Sequence, residues 1–475
     1  MAKTSATKKS KSKSKSASKS KPTVGRTGFD KTVLDNGITV ITERHPTNRA
    51  VSCGVWVDKG TRHESSEEAG LAHFVEHLVF KRTKNRSAYE IARDMEAVGG
   101  DLNAFTSREN TCFLTHALAE HVGLSLDVLS DLVCRPSFDP GDIKKEKQVV
   151  IQEILMSEDQ LEDAIFDKFY ERIYPDHPLG KPILGTSKSI EEMSRKRIVD
   201  FHERQYGIEH VIVSIAGQVD HAEVVALTEK FMGSEAPSAP KRKGSVKAGL
   251  VKESRKEHVE YAEKQLARMR DERPVPPKAT PFREVVKKSS EQVHILIGHP
   301  TLEFRDPMRF DAVVVNTMLG GGMTSRLYQT VREERGLVYS VFSSLNTYSD
   351  SGTNLIYAGT EPKKAPTVIE LILKELKRLK REGMTRDEIE FYKRQVKGSI
   401  LLGADDIENR MNSLAVNEMM FGKYRSVDDV IADVDAVNFD SVHDYIQRKM
   451  DIETIGMLLM GPLPEAATTK WLNSL

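Results

Sequence analysis

Two periods of apolar residues alternate along the chain, and the change from one to the other marks its elements. In "KTVLDNGITVITERH", two alternating apolar runs flank Asn36 and Gly37, residues that tolerate positive φ, and this pattern predicts a β-hairpin. A strand follows at "AVSCGVWVD". The period then lengthens, predicting a helix through "GLAHFVEHLVFKRT" and a second over about Ala88 to Val98, before Gly99 and Gly100 break the pattern and "DLNAFTSRENTCFLTHAL" returns to a strand pair. Val122, Leu126, Leu129 and Val133 are spaced to share one face, which predicts a helix turned toward a core. Asp139 is placed to cap, and Pro140 suits the first turn, of a long helix that continues past Glu153. "VIVSIAGQV" from Val211 reads as a buried strand, and a helix from His221 to Met232 completes a unit of residues 27–235.

The segment 236–283 differs. "KRKGSVKAG" and "RPVPPKATP" bracket a charge-dense run with few apolar positions, as expected of a linker holding one solvated helix. Beyond it, over 284–475, the order of the first unit recurs. A strand at "QVHILIGHP" precedes a helix from Phe310 to Met318, strands at "LVYSVFSSLNTY" and "TNLIYAGT", and a helix from Ala365 to Arg381. The expected fold class is α+β, with two related domains, each a mainly antiparallel sheet with helices packed on one face.

Composition narrows the function classes. The 475 residues exceed one ordinary core, and no uncharged apolar run approaches the roughly 18 residues that span a bilayer, so no membrane insertion is expected. Lys+Arg and Asp+Glu are equal at 70 each, but residues 1–26 hold eight lysines and one arginine without an acidic residue. This Lys/Ser-rich tail is too poor in large apolar side chains to fold, and is expected to be disordered. A merely solvated tail is the first reading; weak attachment to nucleic acid or anionic surfaces is the second. Cys53, Cys112 and Cys134 form no CxxC pair, which fits a reducing, cytoplasmic setting better than a disulfide framework.

The chemistry concentrates in the first predicted helix. His73 and His77 are i and i+4, so their imidazoles share a face as two ligands of one zinc ion would. Glu76, directly before the second histidine, stands where a carboxylate can take a proton from water but is poorly placed as the main third ligand. The motif is HxxEH, the inverse of HExxH and likewise a metallopeptidase pattern. A catalytic zinc takes three protein groups, and the helix "KKEKQVVIQEILMSED" offers Glu146 and Glu153 on one face as candidates.

With these residues in place, the chain resembles the pitrilysin-like metallopeptidases, in particular the two-domain type typified by mitochondrial processing peptidase and its bacterial relatives. The resemblance runs from "VLDNGITVI" through the second half and includes "DKGTRHE" and "VGGDLNAFTSRENT". It implies that Glu153 is the third zinc ligand and that Glu146 supports water activation, with one Zn2+ per chain. It further implies that a substrate peptide is added as a strand along Asn103, Ala104 and Phe105, and that "REERGLVY" supplies Arg332 and Tyr339 to hold the substrate carbonyl. The second half has no HxxEH. Four-domain members of this family enclose substrate between two halves that each resemble this whole chain, which implies a homodimer here. The expected activity is zinc-dependent endopeptidase cleavage of peptides or unfolded segments; a non-catalytic, peptide-binding member of the same family is the alternative.

Overall fold

The computed structural model describes residues 28–233 and 275–474. The disordered tail expected over 1–26 and the solvated helix expected in the linker lie outside the described residues. The first half is built from β1 (Gly28–Val33), β2 (Thr39–Arg44), β3 (Ala50–Val57), α1 (Leu71–Val79), α2 (Ala88–Glu96), β4 (Asp101–Thr106), β5 (Thr111–Leu118), α3 (Val122–Cys134), α4 (Pro140–Asp159), α5 (Leu161–Ile173), α6 (Ser187–Glu192), α7 (Arg195–Gln205), β6 (Val211–Gly217) and α8 (His221–Met232). Its six strands run in the order β1-β2-β6-β3-β5-β4, with every adjacent pair antiparallel except β2 and β6. The predicted hairpin is β1 and β2, closed at Val33 opposite Thr39. Asp139 caps α4 by accepting from the backbone N–H of Gly141 and Asp142, and Pro140 occupies its first turn.

The second half repeats the plan. It comprises β7 (Phe282–Lys287), β8 (Val293–Thr301), α9 (Arg309–Gly320), β9 (Val338–Thr347), β10 (Gly352–Thr360), α10 (Ala365–Glu382), α11 (Arg386–Gly403), α12 (Ile407–Phe421), α13 (Val427–Ala436), α14 (Phe439–Lys449), β11 (Gly456–Gly461) and α15 (Glu465–Leu472). Its strand order, β7-β11-β8-β10-β9, matches β2-β6-β3-β5-β4, down to one parallel pair beside an antiparallel remainder. Under this correspondence the edge strand β9 is the counterpart of β4. β7 begins at Phe282, so the strand takes up the last residues of the predicted linker.

The alternation of each strand separates two cores. Val51, Cys53, Val55 and Val57 of β3, with Val213 and Ile215 of β6, face α1 and α3. Trp56, Ile41, Leu114 and Ile212 point to the opposite face, and there they meet Ile407, Met411, Leu414, Ala415 and Met419 of α12, a helix of the second half. The exchange is reciprocal. Leu161, Ile165, Phe169 and Ile173 of α5 cover Leu296, Leu355, Tyr357 and Leu458 on the far face of the second sheet. Each sheet thus carries its own half's helices on one face and a helix lent by the other half on the second.

Close approach and buried charge fix this exchange. A Cβ at Gly54 would lie 2.4 Å from Met411 Sδ, so glycine is what lets α12 sit on β3. Arg410 of α12 donates to both oxygens of buried Glu43 on β2, at 3.1 and 2.6 Å. Buried Arg62 ion-pairs with Glu109 at 2.7 Å and with Asp350 in the β9–β10 turn of the second half. Such hydrogen-bonded pairs offset the desolvation of their charges only while both partners are present.

Candidate metal centre

The helix that carries HxxEH lacks a side-chain cap of its own; its N-cap residue, Gly70, adopts the left-handed conformation at φ 86°. Glu64, from the "DKGTRHE" segment, supplies the acceptors instead. Its carboxylate takes the backbone N–H of Gly70 at 3.0 Å and of Ala72 at 2.7 Å, anchoring the first turn of α1. Burial pushes the Glu64 carboxyl up to about 8 against those two hydrogen bonds. The remaining apolar residues of α1, Leu71, Phe74, Val75, Leu78 and Val79, are in the core, which leaves the face of His73, Glu76 and His77 turned toward α4 and β4.

His73, His77 and Glu153 converge there, with one ligand atom from each lying within 4.8 Å of the others, and they are the only such set of three or more among the described residues. His77 Nε2 is 3.4 Å from Glu153 Oε2, and His73 Nε2 is 3.8 Å from Glu153 Oε1. Zinc bonds of about 2.0–2.2 Å in a tetrahedron separate their ligand atoms by roughly 3.3–3.6 Å, so the donor set has the composition and approximate spacing of a zinc site with one position left open. Burial and the neighbouring His77 hold the His73 ring down to about 4, so it is neutral near pH 7 with a lone pair to donate. Burial alone would lower His77 as well, but the hydrogen bond with Glu146 and the charges of Glu153, Glu146 and Glu76 raise it. The same carboxylates that favour a proton on His77 would favour a cation beside it.

Glu146 is not beside the open position but behind His77. Its Oε1 lies 2.9 Å from His77 Nδ1 and its Oε2 is 3.0 Å from Lys81 Nζ. Burial would raise the Glu146 carboxyl, but the His77 and Lys81 hydrogen bonds bring it below its ordinary value. This is the arrangement in which a carboxylate fixes the ring and tautomer of a ligating histidine. Lys81, one turn beyond His77, completes the set and was not singled out by sequence.

Glu76 lies on the other side of the histidines. Thr106 Oγ1, at the end of β4, donates to Glu76 Oε2, and burial raises the carboxyl above its ordinary value against that hydrogen bond and the nearby His77. Along β4, Leu102, Ala104 and Thr106 are half-buried and alternate with exposed Asp101, Asn103 and Phe105. β4 is an edge strand, paired only with β5 among the described residues, so its other backbone edge is available to an added strand. Part of that edge is already engaged, because Asn103 Oδ1 accepts the Ala104 N–H at 2.8 Å. Phe105 packs edge-on against Trp56 at 5.4 Å.

Arg332 and Tyr339 are brought together by the turn before β9, the guanidinium carbon lying 5.3 Å from the Tyr339 ring and 4.8 Å from Tyr328. Tyr339 is 78% exposed. Neither side chain makes a hydrogen bond or ion pair to His73, His77 or Glu153 among the described residues. Within one chain, then, four of the expected residues form one constellation with Glu146 behind it, and the arginine-tyrosine pair stands apart.

Residues 39–187 match the family described as insulinase (peptidase family M16), and residues 192–396 match the peptidase M16 inactive domain. The chain is 35% identical over 447 residues to a Mycobacterium leprae protein named an uncharacterized zinc protease, covering 93% of each. It is 36% identical over 427 residues to an uncharacterized zinc protease of Bacillus subtilis, covering 90% of this chain and 97% of that one. In structure it is similar to a protease from Helicobacter pylori, with a TM-score of 0.80 at 20% identity over 91% of this chain and 99% of that one. A peptidase M16 inactive domain from Pseudomonas fluorescens gives a TM-score of 0.79 at 16% identity over 92% and 98%.

Proposed function

The chain belongs to the M16 peptidase family, whose relatives are named zinc proteases, and on that premise we propose that it is a zinc-dependent endopeptidase acting on peptides or unfolded protein segments. The observation that carries the proposal is the convergence of His73, His77 and Glu153 beside a buried Glu76. Zinc held by these three residues would supply a Lewis acid for the scissile carbonyl and lower the pKa of a water molecule.

The protein's own groups do the rest. Thr106 occupies Oε2 of Glu76, which leaves Oε1 to take a proton from the attacking water and return it to the leaving amine. Burial makes this carboxylate a stronger base than an exposed one, in the direction proton abstraction requires. Glu146 holds His77 in orientation, and so acts through the histidine rather than on substrate. The substrate main chain pairs along Asn103 to Phe105, with the Asn103 amide moving off the Ala104 N–H as the strand docks.

Exposed Tyr339 and half-buried Arg332 are proposed to reach the zinc site of a second copy, so that a homodimer holds two complete sites with one Zn2+ per chain. Buried, unpaired Cys53 and Cys112 fit a reducing, cytoplasmic setting, and no helix among the described residues is long and apolar enough to cross a membrane. The test is cleavage of a fluorogenic peptide library before and after chelation and zinc restoration. Activity that survives complete zinc removal overturns the proposal.

A further inference from the structure

A second chemically distinctive place lies in the other half of the molecule. A cavity of about 250 Å3 opens between the start of α9 and the end of α12, lined among others by Phe304, Arg309, Phe421, Lys423, Arg425 and Asp433. None of these belongs to the metal centre.

Arg309 is its centrepiece. The guanidinium carbon lies 4.5 Å from the ring centre of Phe304, 4.6 Å from Phe310 and 5.7 Å from Phe421, which places it within an aromatic box. Ring faces attract the charge but do not accept all the in-plane N–H groups, and among the described residues the guanidinium has a single hydrogen bond, from Nη1 to Phe304 O at 3.5 Å. Burial and the neighbouring Arg425 bring its pKa down to about 10, against the opposing charge of Asp433, which makes no direct ion pair with it.

The cavity's carboxylates are already spent. Asp433 pairs with Arg425, while Asp306 pairs with Lys449 at 2.7 Å and accepts the Met308 N–H at 2.9 Å. Arg309 and Lys423 have no carboxylate partner among the described residues. Two positive charges therefore line one small cavity without a direct ion-pair partner, Asp433 acting on Arg309 and Asp429 on Lys423 only at longer range; one presents the planar fork that matches phosphate and carboxylate oxygens and the other a point charge. The volume falls below the roughly 300–1,000 Å3 of sites for drug-sized ligands, which favours a compact anion.

We propose that this cavity binds a compact, doubly charged oxyanion, either the phosphate of a small phosphorylated metabolite or a dicarboxylate, gripped edge-on by Arg309 and neutralised by Lys423. Its walls, all from the second half, adjoin contacts between the two halves. Phe421 ends the helix that covers the first sheet, and Arg305, another wall residue, donates to Ser349 O at 3.2 Å, next to the Arg62–Glu109–Asp350 contact. An anion bound only by the folded state accordingly raises the unfolding temperature.

The test uses the full chain, with inorganic phosphate, malonate and chloride titrated at equal ionic strength while heat of binding and thermal unfolding are followed. A saturable response to phosphate alone assigns a phosphorylated ligand, to malonate alone a dicarboxylate, and to both the shared oxyanion chemistry. Arg309→Gln and Lys423→Gln are each expected to weaken binding roughly tenfold or more, whereas Lys188→Gln, an exposed lysine on α6, leaves it unchanged. If Arg309→Gln does not fold, Lys423→Gln decides, because its side chain is exposed. No saturable response beyond that of chloride, or wild-type affinity in Lys423→Gln, overturns the proposal.

Discussion

His77 Nδ1 lies 2.9 Å from Glu146 Oε1, while the other nitrogen of the same ring faces Glu153 at 3.4 Å. One imidazole thus separates two carboxylates that are seven residues apart on α4, and it gives them different work. On the proposed function, Glu153 would stand with the ligands and Glu146 would orient one of them. Zinc retention distinguishes them. Glu153→Gln is expected to lose zinc on dialysis, whereas Glu146→Gln keeps most of it and loses roughly 10–100-fold in activity or metal affinity. Equal and complete zinc loss in both variants, measured by elemental analysis, would refute this division.

Glu76→Gln is expected to retain zinc at the wild-type level and to lower kcat by about 10²–10⁴-fold, because the amide cannot take a proton while both histidines remain. Thr106→Val is expected to have a smaller effect in the same direction, since it frees Glu76 Oε2 without removing the base. Near wild-type turnover in Glu76→Gln would place the base elsewhere.

The homodimer is tested by mixing inactive chains. A chain carrying Arg332→Ala and Tyr339→Phe, combined with a Glu76→Gln chain, is expected to regain activity through heterodimers that hold one complete site. Failure to regain activity while subunits demonstrably exchange, followed by native mass spectrometry, would confine the pair's action to its own chain.

Buried Glu43 and Arg410 make stability depend on pH. Burial alone would raise the Glu43 carboxyl, but hydrogen bonds from His45 and Arg410 and the Arg410 charge bring it below its ordinary value of 4.5. A carboxylate depressed in the folded state contributes stability that is present above pH 4.5 and lost as pH falls through its folded value. Glu43→Gln is therefore expected to cost about 3–5 kcal/mol near neutrality, leaving Arg410 buried and unpaired. The difference from wild type in urea midpoint should shrink as the pH falls below 4.5. A difference that does not change with pH would mean that the lost charge is not its cause.

Gly54→Ala is expected to destabilise the protein by about 1–3 kcal/mol, since the added Cβ overlaps Met411. Combining it with Met411→Ala should give less than the sum of the two single losses, a coupling that unfolding of all three variants measures. Strict additivity would argue against direct contact of α12 with β3.

What could be read from the chain itself follows the range of the forces involved. The β1–β2 hairpin, α1, α4 and β6 declare themselves through local periodicity and caps, and HxxEH offers two candidate ligands because the helix fixes their spacing. The candidate third ligand is of another kind. Both Glu146 and Glu153 present suitable carboxylates, and choosing between them required the family resemblance, because which one meets the metal depends on how α4 crosses α1. Thr106, Lys81 and Glu64 left no usable mark, since each acts through a single tertiary contact. α12 is also illegible locally. It buries Arg410, Asn417 and Glu418 along with its apolar residues, so no polar face sets off a helical stripe.

The exchanged helices also set a timetable for the growing chain. The last strand of the first sheet, β6, ends at Gly217, but the helix that seals the sheet's far face ends at Phe421. At a synthesis rate of about 5–20 residues per second, the roughly 200 intervening residues keep Trp56, Ile41, Leu114 and Ile212 waiting for their cover on the order of 10–40 s. During that interval the nascent first half presents a sticky, half-finished surface at the ribosome exit, a substrate for holding chaperones and a hazard when many chains are made at once. A gene fragment that stops before α12 would leave that surface open permanently, so truncated first halves should accumulate in inclusion bodies while the full chain remains soluble.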